Sequence, residues 1–204
     1  MNFLTEPLPD FILSGSERLK IKTDFRIWIE VGDILMSIPA NKITKIELSI
    51  LLENIADLAL IDFPEEINEE FFLAVVDFYT LNERTYRKKQ SKDHQTADHG
   101  KTQQLYDYEF DSGAIHASFL QQYGIRLIGT KMHWFEFQIL LANLGDDTPF
   151  KKRIKIRQMK SSDVPKNKIS DLNRLKELYK IPVPEDEIEI SNKTADFLMA
   201  GRNG

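Results

Sequence analysis

TKMHWFEFQILLANLG, residues 130 to 145, carries apolar side chains around almost the whole circumference of a predicted helix. At about 100° per residue these side chains form two arcs. The first arc comprises Met132, Phe135, Ile139 and Ala142, and the second comprises Trp134, Phe137, Leu140, Leu141 and Leu144. Glu136 and Asn143 mark a narrow polar strip between them. Such a helix either lies at the centre of its domain or buries one side and uses the other for association.

The composition favours a folded, helical protein. The chain has 204 residues, of which 42% are hydrophobic and 29% are charged, so it has enough apolar surface for a core. It contains 13 Phe against 9 Gly and 8 Pro, which suits helices packed by large side chains better than a turn-rich sandwich. We therefore predict an all-α fold, a small helical bundle with two subdomains.

Charge and cysteine content exclude several classes of function. The net charge of -5 disfavours nucleic acid as a general partner, because phosphate backbones repel an acidic protein. The absence of cysteine excludes disulfides, thiolate metal sites and cysteine nucleophiles. The first residues lack the pattern of a signal peptide, and no apolar run is long enough to cross a bilayer. We expect a soluble protein of the host cytoplasm with no membrane partner.

Capping signals divide the N-terminal part, residues 1–82, into three helices. Asp24 can cap the first, Thr44 and Glu47 have the spacing of a capping box, and Asn68 can cap the third. Residues 83–104 are polar, charged and without apolar period, which predicts a flexible linker.

Helical patterns resume in residues 105–182, the predicted C-terminal subdomain. Gly124 is expected to end its first helix, and Thr148-Pro149 is expected to start FKKRIKIRQMK as a helix, with a strand as the alternative. Asp163 and Pro165 can start the last helix. Residues 183–204 are predicted to be an acidic, loosely held tail.

No catalytic or metal-binding motif stands out. The four histidines are His94, His99, His116 and His133. The first two could hold a metal only if the linker became ordered, and the other two are expected to be buried and hydrogen-bonded. Capping explains Asp107, Glu109 and Asp111 better than acid–base catalysis does. We therefore predict no enzymatic activity and no cofactor.

A basic cluster occupies the stretch after Pro149. Its members are Lys151, Lys152, Arg153, Lys155, Arg157 and Lys160. Three interpretations stay open: a solvated helix face, a docking surface for an acidic partner, or a short nucleic-acid patch. The acidic partner in the second interpretation includes the segment Glu185 to Glu189, of this chain or of a neighbour.

The order of several segments resembles the bacteriophage gene-product-fifteen family. YDYEFDSGAIHASFLQQYGIRL, MHWFEFQILLANL, FKKRIKIRQMK and DLNRLKELYKIP follow one another as in that family, and TDFRIWIE is similar to its N-terminal signature. The similarity covers most of residues 23–182. Phe135 stands where many members have a second tryptophan, and the linker and tail match no known pattern.

The resemblance implies a tail assembly chaperone of long-tailed phages and prophages of Gram-positive bacteria. Such a protein binds and solubilises the tape measure protein, and a second copy or a sister chaperone is a further expected partner. The hypothesised contact residues are Trp134, Phe137, Leu141, Lys151, Lys152 and Lys155. The alternatives are a minor tail or connector protein of the virion and a nucleic-acid-binding regulator that uses the basic cluster.

Overall fold

The chain is mostly helical, as predicted, and it also contains one β-hairpin. The computed structural model describes residues 3–38, 43–64, 66–80 and 105–182. Two strands come first, β1 (Phe11–Ser14) and β2 (Glu17–Lys20). The helices are α1 (Phe25–Ser37), α2 (Lys45–Ala59), α3 (Glu69–Tyr79), α4 (Ser112–Tyr123), α5 (Trp134–Ala142), α6 (Pro149–Gln158) and α7 (Ile169–Leu178).

The hairpin adds a small two-stranded sheet to a fold that otherwise fits the predicted all-α class. β1 and β2 pair antiparallel, and Leu13 lies opposite Arg18. The turn between the strands needs Gly15, whose φ of 58° is a left-handed conformation that glycine adopts without strain. Ile12 and Leu19 are buried, which anchors one face of the hairpin. Strands of four residues are too short for their alternation to distinguish them clearly from a loop in the sequence.

The predicted starts of the first three helices are confirmed. Asp24 accepts a hydrogen bond from the backbone N–H of the second residue of α1, and Asn68 caps α3 in the same way. Thr44 and Glu47 form a complete capping box at α2. These side chains satisfy backbone N–H groups that have no partner within the helix, which is why the positions are readable from sequence.

The end of α4 and the start of α6 follow the prediction, whereas α7 begins at Ile169 and not at Asp163 or Pro165. Gly124 follows α4 with a φ of 68°, as expected for a left-handed cap. Residues Pro149–Gln158 form a helix with proline at its start, so the alternative of a strand is wrong. Two single 3-10 turns, Ser161–Asp163 and Lys166–Lys168, precede α7.

Contacts divide the chain into two compact units. Unit 1 consists of the described residues within Met1–Gly100 and Gly124–Leu144, and unit 2 of those within Lys101–Tyr123 and Gly145–Gly204. This division differs from the predicted subdomains, because α5 belongs to unit 1 although it follows α4 in sequence. The predicted linker, residues 83–104, and the predicted tail, residues 183–204, lie outside the described residues.

Unit 2 is built from α4, α6 and α7. Its centre contains Phe119 and Phe150, which are both almost fully buried. The hydroxyl of Ser118 donates to the Ala114 carbonyl at 2.7 Å and accepts from the Phe150 N–H at 3.0 Å, so a buried polar group ties the start of α6 to α4. In neither unit does a described helix combine the length and apolar character needed to span a membrane.

Candidate protein-binding surfaces

Helix α5 forms the aromatic centre of unit 1. Trp134 is 0% exposed and Phe137 is 1% exposed, and Leu141 is also buried. Trp134 Nε1 donates a hydrogen bond to the Tyr79 carbonyl oxygen at 3.0 Å. The hypothesised contact residues Trp134, Phe137 and Leu141 therefore present almost no surface to a partner in this structure.

Both apolar arcs of α5 are used inside unit 1. Phe137 stacks on Phe25 of α1 with ring centroids 4.4 Å apart. Phe135, from the opposite arc, packs against Phe78 of α3 at 4.5 Å. Because α1 contacts the second arc and α3 contacts both arcs, the apolar character of the helix on nearly all sides is used within unit 1.

His133 caps α5 through one ring nitrogen and anchors the chain before β1 through the other. Its Nδ1 accepts from the Phe135 N–H at 3.1 Å, so Nε2 carries the proton and donates to the Pro9 carbonyl at 2.9 Å. Burial lowers the pKa of His133, and the Pro9 bond with the nearby charges of Glu136 and Asp10 only partly opposes this effect. The neutral imidazole is therefore the form that the fold requires.

The other described histidine departs from its expected role. His116 is half-buried on α4, and its buried Nδ1 has no hydrogen-bond partner among the described residues. His94 and His99 lie outside the described residues.

A groove between β1 and α3 is an apolar concavity on the described part of unit 1. It has a volume of about 200 Å³ and is lined by Pro9, Phe11, Ile12, Leu13, Ala74, Asp77 and Phe78. Leu13 on its wall is 61% exposed, and the Arg18 guanidinium lies 3.7 Å above the Phe11 ring. A cavity of about 150 Å³ can hold a benzene ring, so the groove has room for one large apolar side chain.

The groove lies on unit 1, which exposes more large apolar side chains than unit 2 does. Of the thirteen large apolar side chains exposed among the described residues, ten belong to unit 1. They are Phe3, Leu4, Leu13, Met36, Ile46, Ile50, Ile61, Phe63, Leu73 and Ile128. The sequence-based hypothesis did not include these residues, because it was based on the helix with the most aromatic side chains. Whether a side chain can reach a partner depends on its exposure, which aromatic content does not report.

The basic cluster separates into two faces of α6. Lys152 and Lys155 are exposed and form the lysine face of α6, and Lys151 beside them is half-exposed. Arg153 and Arg157 point to the opposite side and bind Asp111. Only the lysine face therefore fits the predicted solvated or docking surface, whereas the two arginines have a structural role.

Asp111 is the buried anion of unit 2. Arg157 contacts both of its carboxylate oxygens, at 2.6 and 2.9 Å, and Arg153 adds a third contact at 3.1 Å. Burial raises the pKa of Asp111, but the hydrogen bonds from Arg157, Arg153 and the Asp107 N–H outweigh burial and hold it below the ordinary value. The Asp107 carboxylate accepts the Phe110 N–H at 2.7 Å, which caps the turn ahead of α4 and not α4 itself.

Comparison with known proteins gives one match. A family model described as Bacteriophage Gp15 protein matches residues 4–181, so it covers the described parts of both units almost completely. No curated protein and no solved structure matches the chain. The match confirms the resemblance that the order of segments indicates. The chain belongs to the Bacteriophage Gp15 protein family.

Proposed function

We propose that this protein is a tail assembly chaperone that binds the tape measure protein and keeps it soluble in the host cytoplasm. It acts by contact and catalyses no reaction. Membership of the Bacteriophage Gp15 family supports a role in a phage, and the resemblance of its segments supports a role in tail assembly. A second copy or a sister chaperone is a further partner in this proposal.

The groove between β1 and α3 is the observation that carries the proposal. A tape measure protein is a long helical chain with apolar stripes, which aggregates unless those stripes are covered. A groove of about 200 Å³ accepts one apolar anchor from such a stripe. Burying one Leu or Phe contributes roughly 1.5–3 kcal/mol before ordering costs, so each subunit binds weakly.

Weak binding by each subunit suits this role. Many copies along one tape measure chain hold together by avidity, although each copy dissociates readily. The growing tail tube then displaces them one at a time. Leu13 on the groove wall is 61% exposed before binding, so little rearrangement of unit 1 is needed to bring an anchor into contact.

Co-expression with the tape measure protein tests the proposal. The wild-type chain should keep the tape measure soluble and co-purify with it, and Leu13→Glu should abolish both effects by placing a charge in the groove. Met36→Glu is the matched control, because Met36 is 79% exposed in the same unit but does not line the groove. An insoluble tape measure in the presence of wild-type protein contradicts the proposal.

Purified virions distinguish the chaperone from a structural tail or connector protein. A chaperone leaves before the particle matures, so mass spectrometry of purified virions should not detect this chain. Detection at a copy number comparable to that of tail proteins would assign it to the particle instead.

A further inference from the structure

The exposed lysine face of α6 has no acidic partner within the described part of unit 2. Lys152 and Lys155 lie nearly one turn apart, and α6 itself contains no Asp or Glu. The carboxylate of Asp111 is already engaged by Arg153 and Arg157 on the opposite side of the helix. Among the described residues, no carboxylate is recorded within ion-pair distance of Lys152 or Lys155, so their charge is open to another anion.

The C-terminal end of the described chain is anchored next to α6. The Tyr179 carbonyl accepts a hydrogen bond from Arg157 Nε at 2.6 Å, and the Arg153 guanidinium lies 5.2 Å from the centre of the Tyr179 ring. The sequence that follows Pro182 is VPEDEIEIS, with acidic residues Glu185, Asp186, Glu187 and Glu189. The chain therefore places four acidic residues shortly after a point that is fixed on α6.

The connection is long enough to reach the lysine face. Glu185 lies six positions after Tyr179, and an extended chain spans up to about 20 Å over that length. A helix with its side chains is about 10–12 Å across, so the segment can pass from the arginine side to the lysine side. A short connection also gives the acidic residues a local concentration on the order of millimolar at the lysine face.

We propose that the acidic segment Glu185–Glu189 of this chain docks on the lysine face of α6 formed by Lys152 and Lys155. The occupant is the chain's own segment, because opposite charge and the short connection from Tyr179 favour it over a separate partner. Docking neutralises the lysine face within the same molecule. An acidic partner, or a nucleic acid, then has to displace the segment before it can bind there.

Paramagnetic relaxation in the full-length protein tests the docking. The chain has no cysteine, so Ser191→Cys introduces a single site for a nitroxide label directly after the acidic segment. At low salt the amide signals of Lys152 and Lys155 should weaken at least about twofold more than those of Lys166 and Lys168, which are also exposed lysines of unit 2. Salt of about 0.5 M should remove the difference by screening the charges.

Charge reversal identifies the surface. Lys152→Glu with Lys155→Glu should abolish the selective weakening at positions 152 and 155, whereas Lys166→Glu with Lys168→Glu should leave it unchanged. These exposed positions are chosen so that the fold is retained, and the amide spectrum of each variant reports that directly. Equal weakening at all four lysines, or weakening that survives reversal at 152 and 155, would overturn the proposal.

A mixed sample identifies the molecule that supplies the segment. Nitrogen-15-labelled protein without nitroxide is combined with unlabelled protein that carries it. Docking within one molecule predicts no selective weakening at Lys152 and Lys155 in this mixture. Selective weakening there would show that a second copy supplies the segment, which refutes docking within one chain.

Discussion

Replacing Asp111 with asparagine should destabilise unit 2 strongly. The substitution keeps the size of the side chain but removes the charge opposite Arg157, whose side chain is only 6% exposed. Removing one partner of a buried ion pair lowers the free energy of unfolding by about 3–5 kcal/mol, because the remaining charge is left in a poorly solvated site. Total unfolding free energies of about 5–15 kcal/mol make this a large share of the stability.

Urea unfolding followed by far-UV circular dichroism measures the effect. With a slope of about 2 kcal/mol per molar urea, the midpoint for Asp111→Asn should fall by roughly 2 M. Circular dichroism is the appropriate signal because Trp28 and Trp134, the two tryptophans, both belong to unit 1. A loss below about 1 kcal/mol would refute the assignment of Asp111 as a buried anion that the fold requires.

Two further substitutions calibrate that result. Arg153→Gln should cost less than Asp111→Asn, because the Arg153 side chain is 28% exposed and Arg157 still neutralises the carboxylate. Glu177→Gln removes an exposed ion pair with Lys180 at 3.8 Å and should change the unfolding free energy by less than about 1 kcal/mol. A loss from Glu177→Gln as large as that from Asp111→Asn would mean that burial does not set the cost.

Three more predictions concern titration and the aromatic core. The pKa of His133 is lowered in the folded state, so the unfolded chain binds the proton more readily, and the free energy of unfolding should fall as pH drops below 6.5. His133→Asn keeps an oxygen that can cap α5 and removes the titrating group. Urea titrations of this variant should therefore show a smaller fall. The pKa of Asp111 is lowered in the folded state, so its carboxylate should stabilise the fold above pH 3.8, and this contribution should be lost as pH falls through the folded pKa. The acid-unfolding curve of Asp111→Asn should lack this contribution. A Cβ at Gly32 would overlap the ring of Tyr79, so Gly32→Ala should lower the tryptophan-fluorescence melting midpoint by an amount corresponding to about 1–3 kcal/mol, and an unchanged midpoint would contradict this packing.

The local features of this fold are the ones that sequence analysis could predict. Asp24, the Thr44–Glu47 pair and Asn68 act within one turn of their own helix, so a short stretch of sequence contains all the atoms involved. The same holds for Gly124, whose left-handed conformation ends a helix. Capping depends on nearest neighbours along the chain, and no distant residue overrides it at these four sites.

The long-range features were missed because they depend on pairs far apart in sequence. Trp134 meets Tyr79, which lies 55 residues earlier, and that contact assigns α5 to unit 1. Asp111 meets Arg157 across 46 residues, which turns an expected capping residue into a buried anion. A periodic pattern reports that a side chain is apolar or charged, but it does not report which distant element covers it.

The groove escaped prediction for a related reason. Its walls combine a four-residue strand with one face of α3, and neither element shows a strong pattern alone. The sequence-based binding hypothesis was instead based on the many apolar residues around Trp134. A helix that is apolar on all sides indicates a central position in a unit, whereas exposed apolar residues such as Leu13 are the ones that a partner can reach.

Hydrogen–deuterium exchange of the protein alone and with the tape measure protein tests the central claim most directly. The groove account predicts slower exchange on binding at the amides of β1 and at residues 73–78 of α3, with little change in α5, which is core in both states. Unchanged exchange around the groove together with a clear change at Trp134–Ala142 would contradict it, and would show that unit 1 opens to offer its aromatic centre to the client.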